Sequence, residues 1–172
     1  MLPFAHIGIT LVLFWILGVG LRGVRAHVRY GYVVVGAMLP DIIDKPVGMI
    51  FFADTFGSGR IFGHTLLFVL LLAVAGYYLF SKKGDAGVLI LAGGSLVHQL
   101  LDSMWESPAT FLWPLMGLSF ERLEEYGSFG QYLTDIYGNL GEPAFLTLVV
   151  TEITGFAIIV LFLLGCLVKK IG

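Results

Sequence analysis

What most limits the fold of this chain is a series of apolar runs, each about as long as a bilayer is thick. They cover residues 2–21, 30–52, 65–80, 85–104 and 143–168, separated by short polar turns except before the last. A hydrocarbon core about 30 Å thick takes roughly 20 residues of α-helix, and inside it every backbone N–H and C=O must be satisfied within the protein. The chain is 58% hydrophobic and 13% charged, with a mean hydropathy of +0.92. A soluble domain carries about 25% charged residues. The expected fold is therefore an all-α integral membrane protein with about five transmembrane helices, forming a single membrane domain over residues 1–172. The first run has no basic leader and no small-x-small cleavage pattern before Arg22, so it is expected to be a retained helix. Cys166 is the sole cysteine, which leaves neither a disulfide nor a thiolate metal cluster within one chain. The net charge of −2 and the lack of a basic patch with interleaved aromatics point away from nucleic acid as a partner.

The second run is interrupted by Leu39-Pro40-Asp41-Ile-Ile-Asp44-Lys45-Pro46, and two prolines among three charges predict a helix broken between Pro40 and Pro46. Residues 105–143 are richer in proline, glycine and tyrosine, and predict an extramembrane segment between the fourth and fifth helices, with a short amphipathic helix near 120–137. Its acids Glu121, Glu124 and Glu125 read as a solvated face. Orientation follows from the basic residues. Arg22, Arg25, Arg29, Lys82, Lys83, Lys169 and Lys170 share one side of an up-and-down arrangement, whereas Lys45, Arg60 and Arg122 occupy the other. The positive-inside rule then puts the N-terminus outside and the C-terminus in the cytoplasm of a plasma (inner) membrane.

The exceptional residues fall at one depth in that arrangement. His98 and Asp102 end the fourth run four residues apart, on one helix face. His6 lies one turn inside the first helix, His64 begins the third, and Asp41 and Asp44 lie outward along the second. His27 sits among arginines on the other side and stays outside the set. A lone aspartate at a helix centre costs roughly 2.5–3.5 kcal/mol to insert. Imidazoles and carboxylates gathered around a divalent cation remove that unpaired charge, and they are ligand types suited to zinc or manganese. Six candidates exceed one closed zinc site, which leaves open two ions, or one ion with supporting carboxylates. Each residue also has a plainer reading: His6 as an interfacial side chain, Arg60 as a snorkelling anchor, and Asp44 as a helix-start cap or a partner for Lys45.

Taken in order, His6, Leu39-Pro40-Asp41-Ile-Ile-Asp44, Arg60-x2-Gly63-His64-Thr65, His98-x3-Asp102 and Trp113-Pro114 resemble the YdjM-like membrane-bound metal-dependent hydrolases over residues 1–118. The resemblance implies metal-dependent hydrolysis at a membrane, with His6, Asp41, Asp44, His64, His98 and Asp102 as ligands. The helical His-x3-Asp element is also similar to that of zinc-dependent phospholipase C and related nucleases, which points to phosphoesters. The chain departs from the Pro-Asp-x-Asp form by one extra residue, and this bears on Asp44 more than on Asp41.

The expected activity is hydrolysis of a phosphoester on a lipid or lipid-linked substrate at the outer leaflet. Arg60 would hold a phosphate through its planar fork, with Thr65 and Trp113 as further substrate contacts. Glu106 continues the series 98, 102 by four residues and is the expected general base or extra ligand. Two other classes remain: a divalent-metal or proton transporter, since intramembrane acids also mark ion paths, and a metal-stapled structural protein.

Overall fold

The computed structural model describes residues 3–21, 26–121 and 143–171, and these are helix and turn throughout. The principal helices are α1 (Pro3–Gly20), α2 (Tyr30–Pro46), α4 (Leu66–Lys83), α5 (Gly87–Leu101) and α7 (Pro143–Ile171), with two single turns, α3 (Ala53–Phe56) and α6 (Pro108–Phe111), at one end. Helix α5 is central and packs on α2, α4 and α1, whereas α7 lies along α1. By length and composition three segments can cross a membrane: Pro3–Gly20, Leu66–Lys83 and Phe145–Val168. Helix α5 is apolar but shorter, and α2 carries Asp41, Asp44 and Lys45. The amphipathic helix expected near 120–137 lies almost entirely outside the described residues.

Of the interruption expected over Pro40–Pro46, only the Pro46 end appears. Helix α2 runs through Pro40, because the hydrogen bond that proline deletes is replaced from another helix. Pro40 has no N–H to give the Gly36 carbonyl, and the Ser95 hydroxyl of α5 donates to that oxygen at 3.2 Å. The interruption comes after Pro46, where Val47–Phe51 widens into a π turn closed by Phe52 N–H on the Val47 carbonyl at 2.9 Å.

Glycines set how closely α2 and α5 cross. A Cβ on Gly94 would lie 2.9 Å from the carbonyl carbon of Gly36, and one on Gly36 would lie 2.9 Å from the Leu91 oxygen. Backbones in such contact bring the α5 side chains one turn on directly against α2 carbonyls. The apolar core is modest, built from Leu11, Phe14, Val33, Ala86 and Ile90. Most large apolar side chains, including Leu71, Val74 and Leu161, point outward, where lipid makes burial inside the protein unnecessary. The fully buried positions are instead rich in polar side chains, among them His6, Thr10, Asp44, His64, His98 and Gln99.

Candidate metal centre

Four segments meet at one end of the bundle. The start of α1 brings His6, the last turns of α2 bring Asp41 and Asp44, the turn before α4 brings Arg60 and His64, and the end of α5 brings His98 and Asp102. Helices that alternate in direction place these ends together, so the depth expected from sequence is met in space. Donor atoms of His6, His98 and Asp102 form one group within 4.8 Å of one another, and those of Asp41, His64 and His98 form a second. His98 belongs to both.

Residues 57–64 are held in place before any ligand is considered. The Ser58 hydroxyl accepts the Arg60 N–H at 3.1 Å. The Asp44 carboxylate accepts N–H groups from Ile61 at 2.8 Å, Gly63 at 2.7 Å and His64 at 3.1 Å. Gln99 of α5 donates to the Gly63 and Thr65 carbonyls at 2.9 and 3.0 Å. Gly63 is required here, since a Cβ would come within 3.1 Å of both the Pro40 backbone and the Asp44 carboxylate.

That framework fixes which imidazole nitrogen points inward. His64 Nδ1 lies 2.7 Å from Asp44 Oδ2, and His98 Nδ1 lies 2.7 Å from the Ala37 carbonyl oxygen. Both partners act as acceptors, so both Nδ1 atoms carry the hydrogen and both Nε2 atoms present a lone pair. The two Nε2 atoms are 3.3 Å apart, with Asp41 Oδ1 at 3.7 and 3.8 Å from them and Asp102 Oδ2 at 3.8 Å from His64 Nε2. Two lone pairs facing at that distance repel unless a cation lies between them. The set of three imidazoles and two carboxylates, with the second nitrogens of His64 and His98 held by a carboxylate and a carbonyl, is one that could hold a metal ion. These residues fit a metal ion.

A match to the YdjM inner membrane protein family model extends over residues 1–171. The chain belongs to that family. The family match carries the relationship beyond residue 118, through α7, and with the apolar helices it makes the chain a multi-pass inner membrane protein. No curated protein and no solved structure matches this YdjM family member.

Five of the six expected ligands converge, and the sixth is placed differently. Asp44 stands behind His64 with both oxygens taken by hydrogen bonds, so it orients that imidazole rather than joining the two donor groups. Arg60 lies beside the donor cluster: its Nη2 is 3.1 Å from Asp102 Oδ2, and over a third of the side chain is open. Thr65 is not available as a substrate contact. It is buried and caps α4, accepting the Phe68 N–H at 3.0 Å and donating to the Phe62 carbonyl at 2.8 Å. Trp113 stacks on Phe120 and meets Phe62 edge-on, which makes it part of an aromatic wall beside the His64 turn. Glu106 does not continue the His98–Asp102 face. The helix stops at Leu101, Ser103 turns left-handed at φ +53°, and Glu106 ends exposed on a 3-10 turn.

Sequence reasoning missed Glu152. From α7 its carboxylate accepts the N–H groups of Phe4 and Ala5 at 2.9 and 3.1 Å, at the N-terminus of α1 and next to His6. The signal was there, an acid in an otherwise apolar span.

Proposed function

We propose that this membrane protein is a metal-dependent phosphoester hydrolase acting on a lipid or lipid-linked substrate at the outer leaflet. The ion is zinc or manganese, and the cytoplasmic side is the end bearing Arg29, Lys82 and Lys83. The observation that carries this reading is the pair of inward Nε2 lone pairs ringed by Asp41 and Asp102, with the half-open guanidinium of Arg60 beside them. A single five-donor site suits the sharing of His98, because one nitrogen lone pair serves one ion. When bound, a divalent ion supplies Lewis acidity toward a phosphoryl oxygen and activates water.

The chain's own residues do the rest. Asp44 and the Ala37 carbonyl keep His64 and His98 in the tautomer that leaves Nε2 free. Arg60 meets phosphoryl oxygens with its planar fork. The wall of Phe56, Phe62, Trp113 and Phe120 shields one side from water. Exposed Ile50, Phe51, Leu115 and Leu118 lie on the segments flanking the site, where an acyl or isoprenoid chain supplies the matching surface.

Elemental analysis of purified protein, paired with hydrolysis of a panel of lipid phosphoesters, tests the proposal. Wild type should hold stoichiometric metal and release product, and His98→Ala should lose nearly all of both. Substoichiometric metal in wild type, or a metal-loaded wild type that leaves the whole panel intact, overturns it.

A further inference from the structure

Lys45 is outside the candidate ligand set, yet like Arg60 it is a part-exposed cation bonded to one of that set's carboxylates. Its ammonium is 2.7 Å from Asp41 Oδ2, one turn back on α2, and its side chain is 38% exposed against 37% for Arg60. Its stem lies along the backbone at Gly59, with Cγ 3.4 Å from where a Cβ on that residue would sit, so it borders the turn that carries Arg60. Each cation thus grips one oxygen of a different candidate ligand, Lys45 on Asp41 and Arg60 on Asp102.

We infer, building on the phosphoester reading of the same site, that Lys45 is a second phosphate-holding cation and that the pair selects a head group with two negative charges. The substrate class is then a lipid phosphomonoester or diphosphate rather than a phosphodiester. A divalent ion drawing on Asp41 and Asp102 takes up the charge that Lys45 and Arg60 otherwise neutralise. Two positive charges then face the opening. Asp44 does not offset them there, because it is fully buried behind His64 with its oxygens committed. A phosphomonoester or diphosphate matches both cations, whereas the single charge of a diester leaves one unmatched in a region where unpaired charge is costly. The geometry suits the division of labour: Arg60 presents a bidentate fork, and Lys45 a point charge on a flexible stem.

Binding of phosphatidic acid, a phosphomonoester, and of phosphatidylglycerol, a phosphodiester, to zinc-loaded full-length protein in phosphatidylcholine nanodiscs tests this through affinity, with lipid hydrolysis followed in parallel. Wild type should prefer phosphatidic acid by about tenfold or more, as expected for one further charge-assisted contact. Lys45→Met should bring the two lipids within about twofold of each other with zinc content unchanged, and Lys45→Arg should restore the preference. Equal binding of both lipids by wild type overturns the inference, as does an undiminished preference in Lys45→Met. Loss of zinc in Lys45→Met overturns it too, by showing that Lys45 only balances Asp41. A Lys45-dependent preference without any lipid hydrolysis supports the inference while removing the hydrolase reading of the site.

Discussion

Two arginine–aspartate pairs sit at opposite ends of the bundle, and their surroundings make them different objects. Arg29 bonds Asp85 and also lies over the Tyr32 ring, with both charged side chains half exposed. Arg60 bonds Asp102, whose side chain is only 8% exposed and whose other oxygen lies 3.1 Å from His6 Nε2. The first pair is screened by water and tolerates change, as exposed ion pairs do. In the second, the carboxylate is enclosed among imidazoles and the cation is the part that reaches outward. The same two residue types anchor a helix start at one end and border the candidate metal centre at the other, and burial makes the difference.

Three substitutions break or sharpen that contrast. The largest effect is expected from Asp44→Asn at the site end. An amide cannot accept from His64 Nδ1 and the three backbone donors together, so zinc affinity should fall by about 10–100-fold, the usual cost of losing a ligand's supporting carboxylate. Competition against a chromophoric chelator measures it, and an unchanged affinity would mean that His64 needs no orienting partner. Glu152→Gln comes next. It keeps the shape but removes the charge at the α1 N-terminus, and should lower stability by about 1 kcal/mol while weakening zinc binding a few-fold through His6. A stability loss with zinc affinity intact would separate the α7–α1 contact from the site. Arg29→Gln should do least, with under about 1 kcal/mol change in thermal unfolding and no change in metal content. A large effect there would make the two ends more alike than their exposure suggests.

The contrast also explains which parts were legible in sequence. The all-helical membrane fold was, because bilayer thickness acts on each apolar run separately. The convergence of His6, Asp41, His64, His98 and Asp102 was also legible, since alternating helix directions and a shared depth need no long-range detail. What escaped depended on particular partners. Pro40 predicts a break, and only the Ser95 hydroxyl, 55 positions along the chain, shows why none occurs. The extra residue before Asp44 sets it apart from Asp41 in sequence, but what it does instead appears only where the turn at Ile61–His64 folds over it. Thr65 beside a histidine suggests chemistry, but the structure uses it as the N-cap of the helix that follows. Glu106 came from extending a helical period past Ser103, where the backbone had already turned.

The Lys45–Asp41 pair bears on how such a chain enters the bilayer at all. Its spacing of four residues lies within α2, so it forms without any other segment. During synthesis α2 emerges before the turn that carries His64 and well before His98. A lone aspartate delivered to lipid at that stage bears the full cost of insertion, but this one arrives with its own counter-ion. Asp44 has no comparable neighbour on the helix, and its hydrogen-bond donors are made 17 to 20 residues later. The charge of Asp44 is therefore met only once the turn at 61–64 has folded onto α2.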